Sequence, residues 1–127
     1  MRFSLRHFVT SCWMLAGMMA GPAVAADPTP EQLAHFESHI RPLLVKRCVG
    51  CHGAEKQQGD LRLDRRVFAI GEGDGPIVPG KVDESRLIDV IQYDELDTQM
   101  PPAGKLPDDE IRLLTEWVKA GAPWPDD

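Results

Sequence analysis

Cys48-Val49-Gly50-Cys51-His52 is a single C-x-x-C-H run, the attachment signature of a c-type haem. Two thiols three positions apart on one turn can add to the two vinyl groups of one porphyrin, giving two thioether bonds. The imidazole of the next residue then sits under the iron as its proximal ligand. The two covalent bonds keep the cofactor in place even while axial ligands exchange.

The residues upstream supply context. Arg2, Arg6 and His7 form a positive n-region, Phe8 to Met19 is mostly apolar, and Ala23-Val24-Ala25 offers an A-x-A cleavage site, with Ala26 as an alternative end. An apolar run of about twelve residues is too short to span a bilayer. Residues 1–26 therefore read as a signal peptide, and residues 27–127 as one exported, periplasmic domain. Val9-Thr10-Ser11-Cys12 resembles a lipobox only loosely, because almost no apolar run precedes Cys12.

Cleavage would remove Cys12 and leave Cys48 and Cys51 alone. Three uses compete for such a pair. A structural zinc site needs two further ligands at matching spacing, and no second C-x-x-C or downstream histidine pair provides them. A thioredoxin-like pair belongs in a strand-rich βαβ setting, and no alternating strand pattern surrounds this one. Haem attachment is the reading left.

Taking Arg2 and Arg6 from the 14 basic residues leaves 12 against 20 acidic ones. That balance argues against nucleic acid, since no basic stripe is present to neutralise phosphates. It allows steering toward redox partners with a basic docking surface, besides simply keeping an exported chain soluble.

The periodicity is helical throughout. Thr29-Pro30-Glu31-Gln32 reads as a helix start, with Thr29 as N-cap, Pro30 at N1 and Gln32 at N3. Leu33, Phe36, Ile40, Leu43 and Leu44 follow at helical spacing. Pro42 lacks the N–H that a helix interior uses, which predicts an interruption and a restart near Ser38 or His39. Residues 65–70 suit one or two helical turns, and Gly71 to Gly80 is a glycine- and proline-rich loop. A second helix is predicted over roughly 83–92 with Leu87, Ile88 and Ile91 on one face, closed by the acidic residues 94, 95 and 97. A third begins at Pro107 with Asp108, Asp109 and Glu110 at its positive end. It carries the stripe Ile111, Leu114, Trp117 and Val118 and stops at Gly121. The expectation is an all-α domain of about three to four short helices, with long loops wrapped around one covalently bound haem.

Of five methionines, Met1, Met14, Met18 and Met19 lie in the leader, so Met100 is the sole one in residues 27–127. It stands outside any apolar stripe, before Pro101-Pro102, and iron opposite a proximal histidine commonly takes Met or His. The thioether of Met100 is the favoured distal ligand. His35 and His39 are competitors, but they precede the motif on the same helical stretch and would have to fold back across the haem. Gly75-Pro76-Ile77-Val78-Pro79-Gly80-Lys81 mimics the start of a P-loop, yet Val82 replaces the Ser or Thr and two prolines delete cradle N–H groups. Glu72 and Asp74 lack EF-hand spacing for calcium. Arg62, Arg65 and Tyr93 are candidates for propionate contacts.

Several ordered motifs go beyond C-x-x-C-H. Phe36-x-x-x-Ile40-Arg41-Pro42-Leu43-Leu44, the C-x-x-C-H-G run, Lys56-x-x-Gly59-x-Leu61-Arg62-Leu63-Asp64 and Gly75-Pro76-Ile77-Val78-Pro79-Gly80 come first. Ser85-x-Leu87-Ile88, Met100-Pro101-Pro102, Leu106-x-x-x-Glu110-Ile111 and Trp117-Val118-x-x-Gly121-Ala122-Pro123-Trp124 follow. Together they resemble the planctomycete-type cytochrome c domain over roughly residues 36–124. Asp60 departs from the pattern, at a place where a second glycine is common. The resemblance implies a class I-like cytochrome c fold, with Cys48 and Cys51 as thioether sites, His52 proximal and Met100 distal. It implies an electron carrier rather than an enzyme, either free-standing or as the haem module of a larger exported protein. The alternative is a five-coordinate or ligand-exchangeable haem domain that acts as a sensor or as part of a redox enzyme; a bis-His site is a further option. No acid, base or nucleophile constellation supports catalysis.

Overall fold

A computed structural model describes residues 27–94 and 98–127. The signal-peptide reading, Cys12, and the acidic residues Glu95 and Asp97 lie outside them.

The chain opens as one long helical run. Thr29 caps it as the sequence predicts: its hydroxyl accepts the Gln32 N–H at 3.3 Å, and the Gln32 side chain returns to the Thr29 N–H at 2.8 Å. Helix α1 (Pro30–His35) passes into a wider π turn (Phe36–Ile40), then helix α2 (Arg41–Leu44), then a second π turn (Val45–Val49). Pro42 neither breaks this run nor forces a restart at Ser38 or His39. In the wide turn the Arg41 N–H reaches back five residues to the Phe36 carbonyl. That slip puts Pro42 in the first turn of α2, where a missing N–H costs little. The backbone stays right-handed helical across the joints, with Ile40 at φ −80°, ψ −51°.

Three further helices follow. The short α3 (Arg66–Ala69) has no cap from its own neighbours. Instead the side chain of Asp127, sixty residues away, accepts the N–H groups of Arg66 and Val67 at 2.9 and 2.8 Å. Helix α4 (Arg86–Gln92) follows a 3₁₀ turn (Val82–Glu84), and α5 (Asp108–Lys119) begins after Pro107. α4 ends where Tyr93 turns left-handed at φ 67°. Ala120 and Gly121 end α5 as predicted, with Gly121 at φ 100°. Among the described residues there is no strand, so the all-α expectation holds. None of their helices is long and apolar enough to cross a membrane.

The predicted apolar stripes converge on one core. Leu87, Ile88 and Ile91 of α4 meet Ile111, Leu114, Trp117 and Val118 of α5, with Phe36, Ile40, Leu43 and Leu44 of the opening run against them. Phe36, Trp117 and Trp124 form an aromatic knot, with ring centroids 4.6 to 5.8 Å apart. Trp117 Nε1 donates to the Pro123 carbonyl at 3.0 Å, so the one polar atom of that buried indole is satisfied. This knot fixes the opening run against α5 and thereby aims the residues that leave its C-terminal end.

The glycine-rich loop is also part of the core rather than a phosphate cradle. Ile77 is fully buried, its N–H bonded to the Ala69 carbonyl. A Cβ on Gly75 would come within 2.6 Å of the backbone of Ala69 and Ile70, so only glycine lets the two segments approach.

Candidate functional site

The opening run unwinds just past Val49. Cys51 and His52 N–H groups both bond to the Cys48 carbonyl, at 3.1 and 2.9 Å, so the five-residue motif makes one tight turn. Gly53 must follow it, because a Cβ there would lie 2.5 Å from the Val49 carbonyl oxygen. The turn is then tied down from outside: His52 accepts the Leu63 N–H at 2.8 Å, and Gly53 donates to Lys56 at 2.7 Å. Two residues of the Leu61-Arg62-Leu63 segment thereby reach the same place as the motif.

That place is a cavity of about 330 Å³, within the usual size of a small-ligand site. Cys48, Cys51, His52 and Met100 all line it. Leu61, Leu63, Pro76, Leu87, Val90 and Ile91 supply apolar wall, and Pro101 and Pro102 flank Met100. Four residues picked from the sequence as haem-site candidates, from Cys48 to Met100, are thus brought to one apolar-walled space.

The chemistry of the donors narrows what the space can hold. Neither cysteine is in a disulfide. Burial pushes the Cys48 thiol up to about 11, with Arg47 pulling it down and Glu110 pushing it up by smaller amounts. A redox-active C-x-x-C pair needs the opposite, a thiol that ionises readily, so the thioredoxin-like alternative loses its chemistry. Among the described residues no group of three or more His, Cys, Asp or Glu is placed to hold a metal ion.

His52 Nδ1 is buried without a hydrogen-bond partner. A metal-ligating histidine usually donates its second ring N–H to an acceptor, and none is bonded to this nitrogen among the described residues. A buried polar atom left unpaired costs about 1–3 kcal/mol. Ligation through the other ring nitrogen would not pair Nδ1, so the His52 ring lacks the second-nitrogen support that a ligating histidine usually has. Apolar walls, an unpaired imidazole, two free cysteines and a thioether form a donor set suited to a covalently attached haem.

The other candidates lie elsewhere. His35 and His39 stack on each other with centroids 4.8 Å apart, on the exposed side of the opening run and away from the cavity. Arg62 is engaged by Asp64 at 2.9 and 2.7 Å and lies 4.1 Å over the Phe68 ring, while Arg65 pairs with Asp127 at 3.6 Å. Neither arginine lines the cavity. The Tyr93 hydroxyl is spent on the Pro101 carbonyl. The charged residues that do line it are Arg47 and Arg86. Arg47 is gripped by Glu110 of α5 at 2.8 and 2.9 Å, and Arg86 pairs with Asp89. Arg47 was legible only as the residue before Cys48; nothing in the sequence marked Arg86.

Comparison with known proteins agrees with this geometry. Residues 48–104 match the family model described as planctomycete cytochrome C, a stretch that begins at Cys48 and ends just beyond Met100-Pro101-Pro102. No curated protein and no solved structure matches the chain.

Proposed function

Since the chain carries a planctomycete-type cytochrome c domain with an all-α cytochrome c-like fold, we propose that it is an exported monohaem electron carrier. In this reading one haem c is linked through Cys48 and Cys51, and its iron is held between His52 and Met100. The observation that carries the proposal is the convergence of these four side chains on a single apolar-walled cavity.

When bound, the haem supplies a one-electron ferric–ferrous couple. The chain's own residues do the rest. Cys48 and Cys51 anchor the cofactor covalently. His52 would ligate through Nε2, since Nδ1 is buried. Met100 offers a soft, weakly donating thioether, which favours the ferrous state and raises the potential. Leu61, Leu63, Leu87, Val90 and Ile91 exclude water, and a low dielectric disfavours the extra charge of the oxidised form. Arg47 and Arg86, the arginines that line the cavity, would be available to the propionates. The acidic surface fits a redox partner with a basic face, and the leader in residues 1–26 would place the exchange outside the cytoplasm.

Absorption spectroscopy tests the proposal. The pyridine haemochrome should report one haem with both vinyls saturated, and the ferric protein should show the weak far-red charge-transfer band of Met–iron ligation. A missing band, with ready carbon monoxide binding after reduction, would instead mark a ligand-exchangeable haem.

A further inference from the structure

Tyr93 stands in a conformation that its residue type does not favour. It ends α4 at φ 67°, ψ 22°, the left-handed region where a Cβ crowds the following carbonyl. Helix ends of this geometry usually carry glycine, and less often asparagine. A tyrosine kept there calls for an account in terms of what its side chain does.

The side chain reaches the Met100 loop. The Tyr93 hydroxyl donates to the carbonyl of Pro101. The carbonyl of Tyr93 accepts from the Gln99 side-chain amide at 3.1 Å. Met100 itself is tied to α4 one turn earlier, its N–H donating to the Val90 carbonyl at 3.0 Å. Residues 99, 100 and 101 are thus each hydrogen-bonded to the last turn of α4 or to its cap. Two of those three bonds belong to Tyr93, and a glycine at the cap would retain only the one through its backbone carbonyl.

We propose that Tyr93 is a positioning residue that clamps the Met100–Pro101 segment against the end of α4 and so holds the Met100 thioether in the haem cavity. This rests on Met100 being the distal ligand. No peptide bond lies between the Met100 α-carbon and the side chain that lines the cavity, so pinning the backbone on either side of that carbon restricts where the sulfur can go. The thioether can leave by rotation of its own flexible side chain or by lifting of the segment, and the second route breaks the hydroxyl bond. The clamp therefore bears on how much of the time the sixth position is open. The strained backbone at Tyr93 and the hydroxyl bond point the same way: the local penalty is tolerated because it places a donor that glycine lacks.

The test uses the ferric holoprotein and imidazole as the competing ligand. Apparent affinity for imidazole scales with the fraction of protein whose thioether has already left, and at saturating imidazole the observed rate levels off at the rate of thioether release. Tyr93→Phe keeps the ring and removes the hydroxyl. It should retain the far-red band, bind imidazole about fivefold more tightly and raise the limiting rate, as expected from the loss of one neutral hydrogen bond. Trp117→Phe serves as the control, since it disturbs the aromatic knot and its indole hydrogen bond goes to Pro123 and not to Tyr93 or the loop. It should lower the unfolding midpoint and leave the limiting rate unchanged. Equal imidazole binding in wild type and Tyr93→Phe, with the band present in both, would overturn the clamp while leaving Met100 as ligand. A rate raised equally by Trp117→Phe would overturn it too, as a consequence of general loosening. Absence of the band from the wild type would overturn the Met100 assignment and the clamp together.

Discussion

The two sides of the cavity are built by opposite means. Cys48, Cys51 and His52 come from five consecutive residues at the end of a helical run, whose α and π turns bond continuously from Pro30 to Val49. That run is locked to α5 by the Phe36–Trp117–Trp124 knot. Met100 comes from a loop between α4 and α5 whose ties to α4 are a handful of hydrogen bonds. Covalent attachment needs two thiols and an imidazole in fixed register, which a helix end provides at low entropic cost. A soft axial ligand needs only to reach the iron and to be tuned in how firmly it stays, which suits a loop. The contrast predicts a proximal side that fails all at once and a distal side that can be adjusted.

The largest effect should come from breaking the proximal side. Replacing both Cys48 and Cys51 with Ala should abolish covalently retained haem, read as loss of haem staining on a denaturing gel. Met100→Ala should leave that staining intact, remove the far-red band and lower the potential on the order of a few tenths of a volt, inside the ~0.8 V span that axial ligands command. Retention of the band would identify another distal ligand and dissolve the contrast.

Phe36→Ala tests whether the knot aims the motif. Phe36 is fully buried, and such truncations cost about 3–5 kcal/mol, to be read from urea unfolding of the haem-loaded protein. A milder handle is the Arg62–Asp64 pair beside Leu61 and Leu63. The hydrogen-bonded Arg62 guanidinium holds the Asp64 carboxyl below the usual carboxylate range. Its stabilisation is then complete above the ordinary carboxylate pKa near ~4 and is lost as pH falls through the lower value of the folded state. Asp64→Asn should therefore flatten the acid end of the stability–pH curve and leave its alkaline end unchanged. The smallest effect is expected at Asp60, which sits at φ 56° beside Gly59 at φ 65°. Asp60→Gly should stabilise by up to about 1 kcal/mol in thermal unfolding, because only glycine adopts that region without a steric penalty.

The same contrast explains what was legible in the sequence. The proximal motif, the Thr29 capping box and the α5 stripe are local patterns, so spacing alone identified them. Met100 was legible by elimination, as the sole methionine of residues 27–127, and its reach into the cavity follows from tertiary packing. The π turn before Pro42 was missed because a helix can absorb a proline by slipping one residue, which residue pattern does not encode. The Asp127 cap on α3, the Arg47–Glu110 grip and the Tyr93 bond to Pro101 link residues by hydrogen bonds whose partners no local rule selects. Asp60 was noted as a departure from the family pattern, and its left-handed backbone now gives that position a physical reason.

X-ray absorption at the iron edge tests the central claim most directly. In the isolated holoprotein the account predicts one iron-bound sulfur and five nitrogens in the ferric and ferrous states alike, with the sulfur lost in Met100→Ala. A wild-type iron with nitrogen ligands only, or with an open sixth position, would contradict it.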